Sequence, residues 1–193
     1  AYDEARHYLE DSVVMNMEHG NRRALARAIL FLGDVALAQK DYAAARRYYQ
    51  DSLAIYREFD HRLGVSLTLG GLGDVGVALG EIESARKNFH EAYTMAQIIR
   101  DTPLQLWLLT GIASLLAREK DEEHAAELLG MVLNHYATTQ ETRDKAEIIL
   151  AHLGEAVHTP ALEAALERGK GMANNRNQQR VSPEENRWLP LVT

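Results

Sequence analysis

The sequence contains no cysteine, which excludes disulfide bonds, thiolate metal sites and cysteine nucleophiles. It also lacks an apolar run of about 18 residues, the length that a membrane-spanning helix needs, and it has no signal-peptide pattern. Acidic residues outnumber basic ones by 28 to 21, so the formal net charge is −7. Such a surface is poorly suited to neutralising phosphates. We therefore expect a cytoplasmic protein, with neither nucleic acid nor membrane as a partner of this segment.

What the chain does have is a repeat with a period of forty residues. The segment LGDVALAQKDYAAARRYYQDSLAI returns as LGDVGVALGEIESARKNFHEAYTM and again as IASLLAREKDEEHAAELLGMVLNH. Small residues and large apolar residues recur in register. The equivalent sets are Gly33, Gly73 and Ala113; Ala45, Ala85 and Ala125; Tyr49, Phe89 and Leu129; and Ser52, Ala92 and Val132. In the opening segment YDEARHYLEDSV, the same places hold Ala5, Leu9 and Ser12.

Each repeat is predicted to hold two helices, because apolar residues recur at helical spacing and the first 155 residues show no strand-like alternation. First helices are expected over 23–39, 62–79 and 103–119, and second helices over 42–59, 82–99 and 122–137. Thr102 before Pro103 is typical of an N-cap. We predict an all-α, right-handed solenoid of antiparallel helix pairs, in which small residues lie where paired helices cross most closely.

The predicted array covers residues 1–155. It comprises a half repeat at 1–20, full repeats at about 22–60, 62–100 and 102–140, and a partial repeat at 142–155. A terminal helix is expected over 156–171, starting at Thr159-Pro160 and stopped by Gly169, followed by a polar linker and tail over 172–193.

No motif for catalysis or cofactor binding is found. A literal GxGxxG occurs at Gly71, Gly73 and Gly76, but a dinucleotide site needs a strand before these glycines and a turn at them. Gly73 and Gly76 instead align with Gly33 and Ala36 inside a helix, so we interpret them as packing residues. The eight histidines form no HExxH pair. We predict no catalytic residue, cofactor or metal; an enzyme with its site in the groove of the array is a remote alternative.

A second stripe on the first helices, roughly 130° from the core stripe, is predicted to line the inner, concave surface and to bind a partner. An exposed tryptophan beside apolar and acidic groups is typical of a recognition surface. The alternative is that this tryptophan is buried against a neighbouring helix. Asp34 and Asp74 in this stripe favour neutral, cationic or helical partners. The alternative is that these aspartates pair with Arg27 or stay solvated. The candidate residues are Arg27, Leu30, Asp34, Leu67, Asp74, Trp107, Thr110 and Ser114.

The repeated Leu-Gly pair, with a small residue twelve positions later, an aromatic four beyond and a small residue three beyond that, resembles the tetratricopeptide repeat. The usual unit is about 34 residues, so these helix pairs are longer. The stretches SLAIYREFDHRLGVSLTLGGLGDV and AHLGEAVHTPALEAALERGKGM resemble arrays in bacterial signal-transduction ATPases with numerous domains, including LuxR-type regulators of the maltose-regulator kind.

This resemblance implies a sensor or interaction module that binds a protein, a peptide or a small-molecule inducer. A stand-alone scaffold joining other proteins is the alternative. In the chaperone-binding branch of the family, a lysine and an asparagine clamp a terminal carboxylate. Leu30 and Asp34 occupy those positions here, so that clamp is missing.

The sequence supports one prediction for each end of the chain. The chain starts inside a second helix whose first-helix mate is missing, so we expect a fragment of a longer array whose exposed edge frays or self-associates. Near the other end, VSPEENRWLPLV loosely resembles the opening of a LuxR-type helix-turn-helix domain. The alternatives are a disordered tail and a tail that folds back on the array.

Overall fold

The computed structural model describes residues 2–156 and 159–174. Within these ranges the regular elements are all helices, which confirms the all-α prediction. The predicted tail lies outside the described residues from position 175 onward, as does the helix-turn-helix-like segment. The helices are α1 (Tyr2–Glu18), α2 (Arg22–Ala38), α3 (Tyr42–Glu58), α4 (Arg62–Leu79), α5 (Ile82–Ile99), α6 (Thr102–Arg118), α7 (Glu122–Asn134), α8 (Gln140–Ala156) and α9 (Pro160–Asn174).

The chain forms two compact halves, residues 1–95 and 96–193, and each is described by itself. The N-terminal half contains α1 to α4 and most of α5. The C-terminal half contains the end of α5 and α6 to α9. Within the N-terminal half α2 packs against α1, α3 and α4, and within the C-terminal half α7 packs against α6, α8 and α9.

Helices end and begin at a turn that recurs every twenty residues as far as Lys120. One residue takes a left-handed conformation, with φ between 50° and 75°, and the following helix begins two residues later. At four of these turns the next side chain caps the new helix by accepting a backbone N–H three residues later. The left-handed residues are Gly20, Lys40, Asp60, Gly80, Arg100 and Lys120, and the capping residues are Asn21, Asp41, His61 and Asp101.

The prediction that Thr102 caps α6 is therefore wrong by one residue. Asp101 is the cap, and its carboxylate accepts the N–H of Leu104 at 3.0 Å. A carboxylate at the N-cap also complements the positive end of the helix dipole. Pro103 still lies in the first turn, where its missing N–H costs no helical hydrogen bond.

Helix pairs in the N-terminal half are antiparallel and pack through glycine. A Cβ built on Gly33 of α2 would lie 2.6 Å from Cε1 of Tyr49 on α3, and one on Gly73 of α4 would lie 2.6 Å from Cε1 of Phe89 on α5. The predicted close crossings are confirmed at both positions. A Cβ built on Gly71 of α4 would likewise lie 2.5 Å from Cζ of the Tyr49 ring. The GxGxxG pattern lies inside α4 and serves helix packing.

In the C-terminal half, Gly169 does not stop the last helix, because α9 continues to Asn174. Gly169 instead lies where α9 crosses α7. A Cβ there would lie 2.0 Å from the backbone oxygen of Glu127, and a Cβ on Gly130 would lie 2.4 Å from the backbone oxygen of Leu166. Both glycines are needed for close backbone approach. The forty-residue register also extends to α9, since Ala165 follows Ala125 by one period and both are fully buried.

One helix, α4, is long and apolar enough to cross a membrane by length and composition alone. About three fifths of it, 61%, is buried within the protein, as expected of a helix at the centre of a packed half.

Candidate partner-binding surfaces

Exposed residues on α2 recur at intervals of four, three and four positions. Arg27, Phe31, Asp34 and Ala38 are all exposed, and they lie on one face of the helix. The equivalent face of α4, which packs beside α2, presents partly exposed Leu67, Asp74 and Ala78. We call these seven residues the N-terminal stripe.

Leu30 does not belong to this stripe, and the prediction that it lines a groove is wrong. Its side chain is 5% exposed and belongs to the core. The true stripe passes through Phe31, which is 45% exposed. At 100° per residue, Leu30 lies roughly 70° from the centre of the stripe. Sequence comparison missed Phe31 because the equivalent positions forty and eighty residues later hold Gly71 and Gly111.

The two predicted aspartates lie near one buried hydroxyl group. Tyr49, which is 1% exposed, donates its hydroxyl hydrogen to Oδ1 of Asp34 at 2.8 Å. Burial raises the pKa of Tyr49 well above its usual value, and the negative charges of Asp34 and Asp74 raise it further. The N-terminal stripe therefore carries two carboxylates close to the ring that separates α2 from α4.

A corresponding surface lies in the C-terminal half, on α6 and α8. Trp107 is half-buried, and Nζ of Lys145 lies 4.9 Å from its ring centroid. This geometry is a cation–π contact. The sequence left open whether Trp107 is exposed or buried. In the structure it is intermediate between the two.

Thr110, in contrast, is 0% exposed, so its predicted place in a groove is wrong. Its hydroxyl group donates to the backbone oxygen of Trp107 at 2.6 Å. That local bond satisfies a buried hydroxyl that would otherwise be costly.

Ser114 lines a cleft of about 400 Å³ at the far end of this surface. The cleft lies between the C-terminal turns of α6, the first turn of α7 and the C-terminal part of α8. Its lining combines apolar side chains with charged or titratable ones. The lining residues are Ser114, Ala117, Arg118, Glu122, Ile149, His152 and Leu153. We call Trp107, Ser114, Arg118, Lys145, Ile149 and His152 the C-terminal stripe.

No metal centre is seen: among the described residues, no group of three or more His, Asp or Glu side chains could hold a metal ion. His61 has a structural role instead. Its Nδ1 accepts the N–H of Gly64 at 3.0 Å, and its ring stacks on Tyr56 with centroids 5.1 Å apart.

Residues 1–58 match the family model of the tetratricopeptide repeat. This stretch comprises α1 to α3, and the helix pair it describes recurs in the remainder of the array. The match and the recurrence together support a tetratricopeptide repeat array. No curated protein matches the chain.

Tetratricopeptide repeats generally mediate binding between proteins, and the family is generally a non-enzymatic scaffold. The surfaces of this array are consistent with that use. Arg27, Asp34, Leu67 and Asp74 of the predicted set lie in the N-terminal half, and Trp107 and Ser114 lie in the C-terminal half.

Proposed function

We propose that this array is a partner-binding module without catalytic activity, and that its N-terminal stripe binds a basic protein segment. The observation that carries the proposal is the exposure of Phe31 on the same face as Asp34 and Asp74. An exposed aromatic ring attracts cations through its face, and carboxylates pair with lysine or arginine. The three side chains together favour a segment with basic and apolar residues.

Affinity capture with the whole chain tests this proposal. The bait is wild type or a Phe31→Ala/Asp74→Lys variant, and a labelled peptide of alternating lysine and leucine measures binding directly by fluorescence anisotropy. We expect the variant to lose the peptide and the captured partner while its circular dichroism is unchanged.

A matched variant, Ile98→Ala/Glu83→Lys, makes the same kinds of change at exposed positions of α5. It should behave as wild type. Equal binding by all three proteins would contradict the proposal, because the N-terminal stripe would then contribute nothing.

We also propose that the array is part of a cytoplasmic bacterial signalling ATPase or transcription regulator, in which it senses a protein, a peptide or a small-molecule inducer. The support is the resemblance of residues 52–75 and 151–172 to arrays of that kind. A stand-alone scaffold is the second candidate. The reading frame of the source gene separates them: an upstream ATPase motif or a downstream helix-turn-helix supports the regulator, and a gene encoding the array alone supports the scaffold.

A second property, self-association, is favoured by α1, which has no buried residue. Leu9 is only partly buried, whereas its counterparts Tyr49 and Phe89 are each 1% exposed. Tyr8 and Met15 are exposed on the neighbouring face. We propose that a second copy of the chain covers this edge.

A further inference from the structure

The C-terminal stripe differs from the N-terminal stripe in the sign of its charge. At corresponding places of the first helices, α2 and α4 carry Asp34 and Asp74, whereas α6 carries Ser114 and, four residues later, the exposed Arg118. The neighbouring α8 adds Lys145 and His152. A partner suited to the N-terminal stripe is therefore not suited to this one.

The cleft gives this surface an apolar floor. Ala117, Ile149 and Leu153 line it, and Leu153 is buried while the other two are partly exposed. A volume of about 400 Å³ exceeds that of one large apolar side chain. The cleft can therefore admit an apolar side chain of a partner, and apolar burial would supply much of the binding free energy.

Charged side chains surround this floor. Arg118 and His152 are exposed at the rim of the cleft, and Lys145 lies one helical turn before Ile149 on α8. One carboxylate, Glu122, belongs to the lining, and it lies in the first turn of α7, where the helix dipole favours a negative charge. With histidine neutral, the lining itself holds one cation, Arg118, and one anion, Glu122, and Lys145 beside Trp107 adds a second positive charge to the C-terminal stripe.

The length of the surface sets the length of the partner segment. Trp107 and Arg118 are eleven residues apart on α6, which corresponds to about 16 Å along a helix. An extended peptide of about five residues spans the same distance. Such a segment can reach from the Trp107–Lys145 pair to the cleft.

We propose that the C-terminal stripe binds an extended acidic peptide segment. An apolar side chain of that segment enters the cleft beside Ile149 and Leu153, and its carboxylates pair with Arg118 and Lys145. The C-terminal stripe is then a second binding surface. It prefers an acidic partner, whereas the N-terminal stripe of the proposed function prefers a basic one.

The test uses the whole chain and a fluorescein-labelled nonapeptide of alternating glutamate and leucine, with a glutamine-for-glutamate peptide as the neutral comparison. We expect the acidic peptide to bind about tenfold more tightly than the neutral one, because two surface ion pairs of ordinary strength, one at exposed Arg118 and one at partly exposed Lys145, together give a factor of that order. The Arg118→Glu/Lys145→Glu variant should abolish this preference. Amide chemical shifts should move around positions 114–122 and 149–153.

Two further variants keep the test decisive. Ala117→Trp fills the cleft without changing charge, and it should weaken both peptides equally. Asp74→Asn alters only the N-terminal stripe, and it should leave the acidic peptide unaffected even if binding of basic segments is weakened.

Three results would overturn the proposal: equal affinity for the acidic and neutral peptides, affinity unchanged by both C-terminal variants, or shift changes confined to α2 and α4. Loss of the basic peptide in the Phe31→Ala/Asp74→Lys variant bears on the proposed function alone. The two ideas can therefore fail separately.

Discussion

Tyr49 shows how a single side chain joins the core to the binding surface. Its ring fills the space between Gly33 and Gly71, and its hydroxyl group reaches the carboxylate of Asp34 at 2.8 Å. Asp34 is thus both a candidate binding residue and the acceptor for a buried donor. Substitutions at Asp34 consequently alter stability as well as binding, which is why Asp74 is the better position for a binding test.

We expect Asp34→Ala to lower the free energy of unfolding by about 1–3 kcal/mol, because it leaves the Tyr49 hydroxyl group without its acceptor. Adding Tyr49→Phe to this variant should restore part of the loss, since the buried donor is then gone. Urea denaturation followed by circular dichroism measures both effects. A midpoint equal to that of wild type in Asp34→Ala would contradict a stabilising bond.

The raised pKa of Tyr49 predicts a pH dependence of stability. In the unfolded chain the tyrosine ionises near pH 10, whereas in the folded chain it stays protonated. Its contribution is therefore complete below about pH 10 and is lost as the pH rises above that value, by about 1.4 kcal/mol per pH unit. Denaturation between pH 8 and 11.5 should show a shallower alkaline loss for Tyr49→Phe than for wild type. Both proteins contain the same lysines, so any contribution of lysine to the alkaline loss of stability is equal in the two. Parallel stability curves for wild type and Tyr49→Phe would therefore refute the role of Tyr49.

Gly73 and Phe89 form a complementary pair that the third repeat replaces with Ala113 and Leu129. A Cβ on Gly73 would lie 2.6 Å from Cε1 of the Phe89 ring, which is 1% exposed. We expect Gly73→Ala to cost about 1–3 kcal/mol through overpacking. Gly73→Ala/Phe89→Leu, which copies the third repeat, should recover much of this in thermal denaturation. If Gly73→Ala alone were as stable as wild type, α4 and α5 would pack less closely at this position than the structure shows.

At the scale of the helix, the crossing of α7 and α9 depends on Gly130 and Gly169. The buried carboxylate of Glu127 lies beside it and pairs with Arg168, with 3.6 Å between Oε2 and Nε. Because the backbone of α7 occupies the place where a side chain at position 169 would lie, no rotamer change can relieve the clash. Docking of α9 therefore requires glycine at this position.

We expect Gly169→Ala to undock α9, so that amides of residues 160–174 lose hydrogen-exchange protection while those of α2 keep theirs. Gly171→Ala is the matched control, because a Cβ there meets no atom within 4 Å. Alanine at that exposed helical position should stabilise α9 by up to about 1 kcal/mol. Equal protection in both variants would show that α9 can shift to accept a side chain.

These helices also show what the sequence could and could not predict. The period of forty residues located the helices and the packing glycines Gly33 and Gly73, because core positions repeat. One position of the predicted stripe was misplaced, so Leu30 and Thr110 were assigned to a surface and Phe31 was missed. Solvent-facing positions need not repeat, and the places equivalent to Phe31 in the next two repeats hold the buried Gly71 and Gly111. Gly169 was mistaken for a helix stop because glycine is common both at helix ends and at close crossings.

At the scale of the whole molecule, the exposed apolar residues are concentrated on α1 more than on any other described helix. Tyr2, Tyr8, Val14, Met15 and Met17 are each more than half exposed. Tyr8 and Met15 are seven residues apart and lie on one face, next to Ala5 and Ser12. In the second helix α3, the counterparts of Ala5 and Ser12 are completely buried by the first helix of the same repeat. A face of this kind on a helical repeat favours association with another apolar surface.

We therefore expect the purified chain to associate with itself through α1 in a concentration-dependent way. Sedimentation velocity should show dimers for wild type and monomers for a Tyr8→Glu/Met15→Lys variant, because charges on the contact face must lose their hydration when two copies meet. Tyr136→Glu/Ile148→Lys makes comparable changes at exposed positions of the C-terminal half and should not alter the association. A monomeric wild type at high concentration, or dimers that persist in the α1 variant, would exclude this edge as the contact. Since neither pair of substitutions touches Phe31, Asp74, Arg118 or Lys145, binding of both test peptides should survive in the monomeric form.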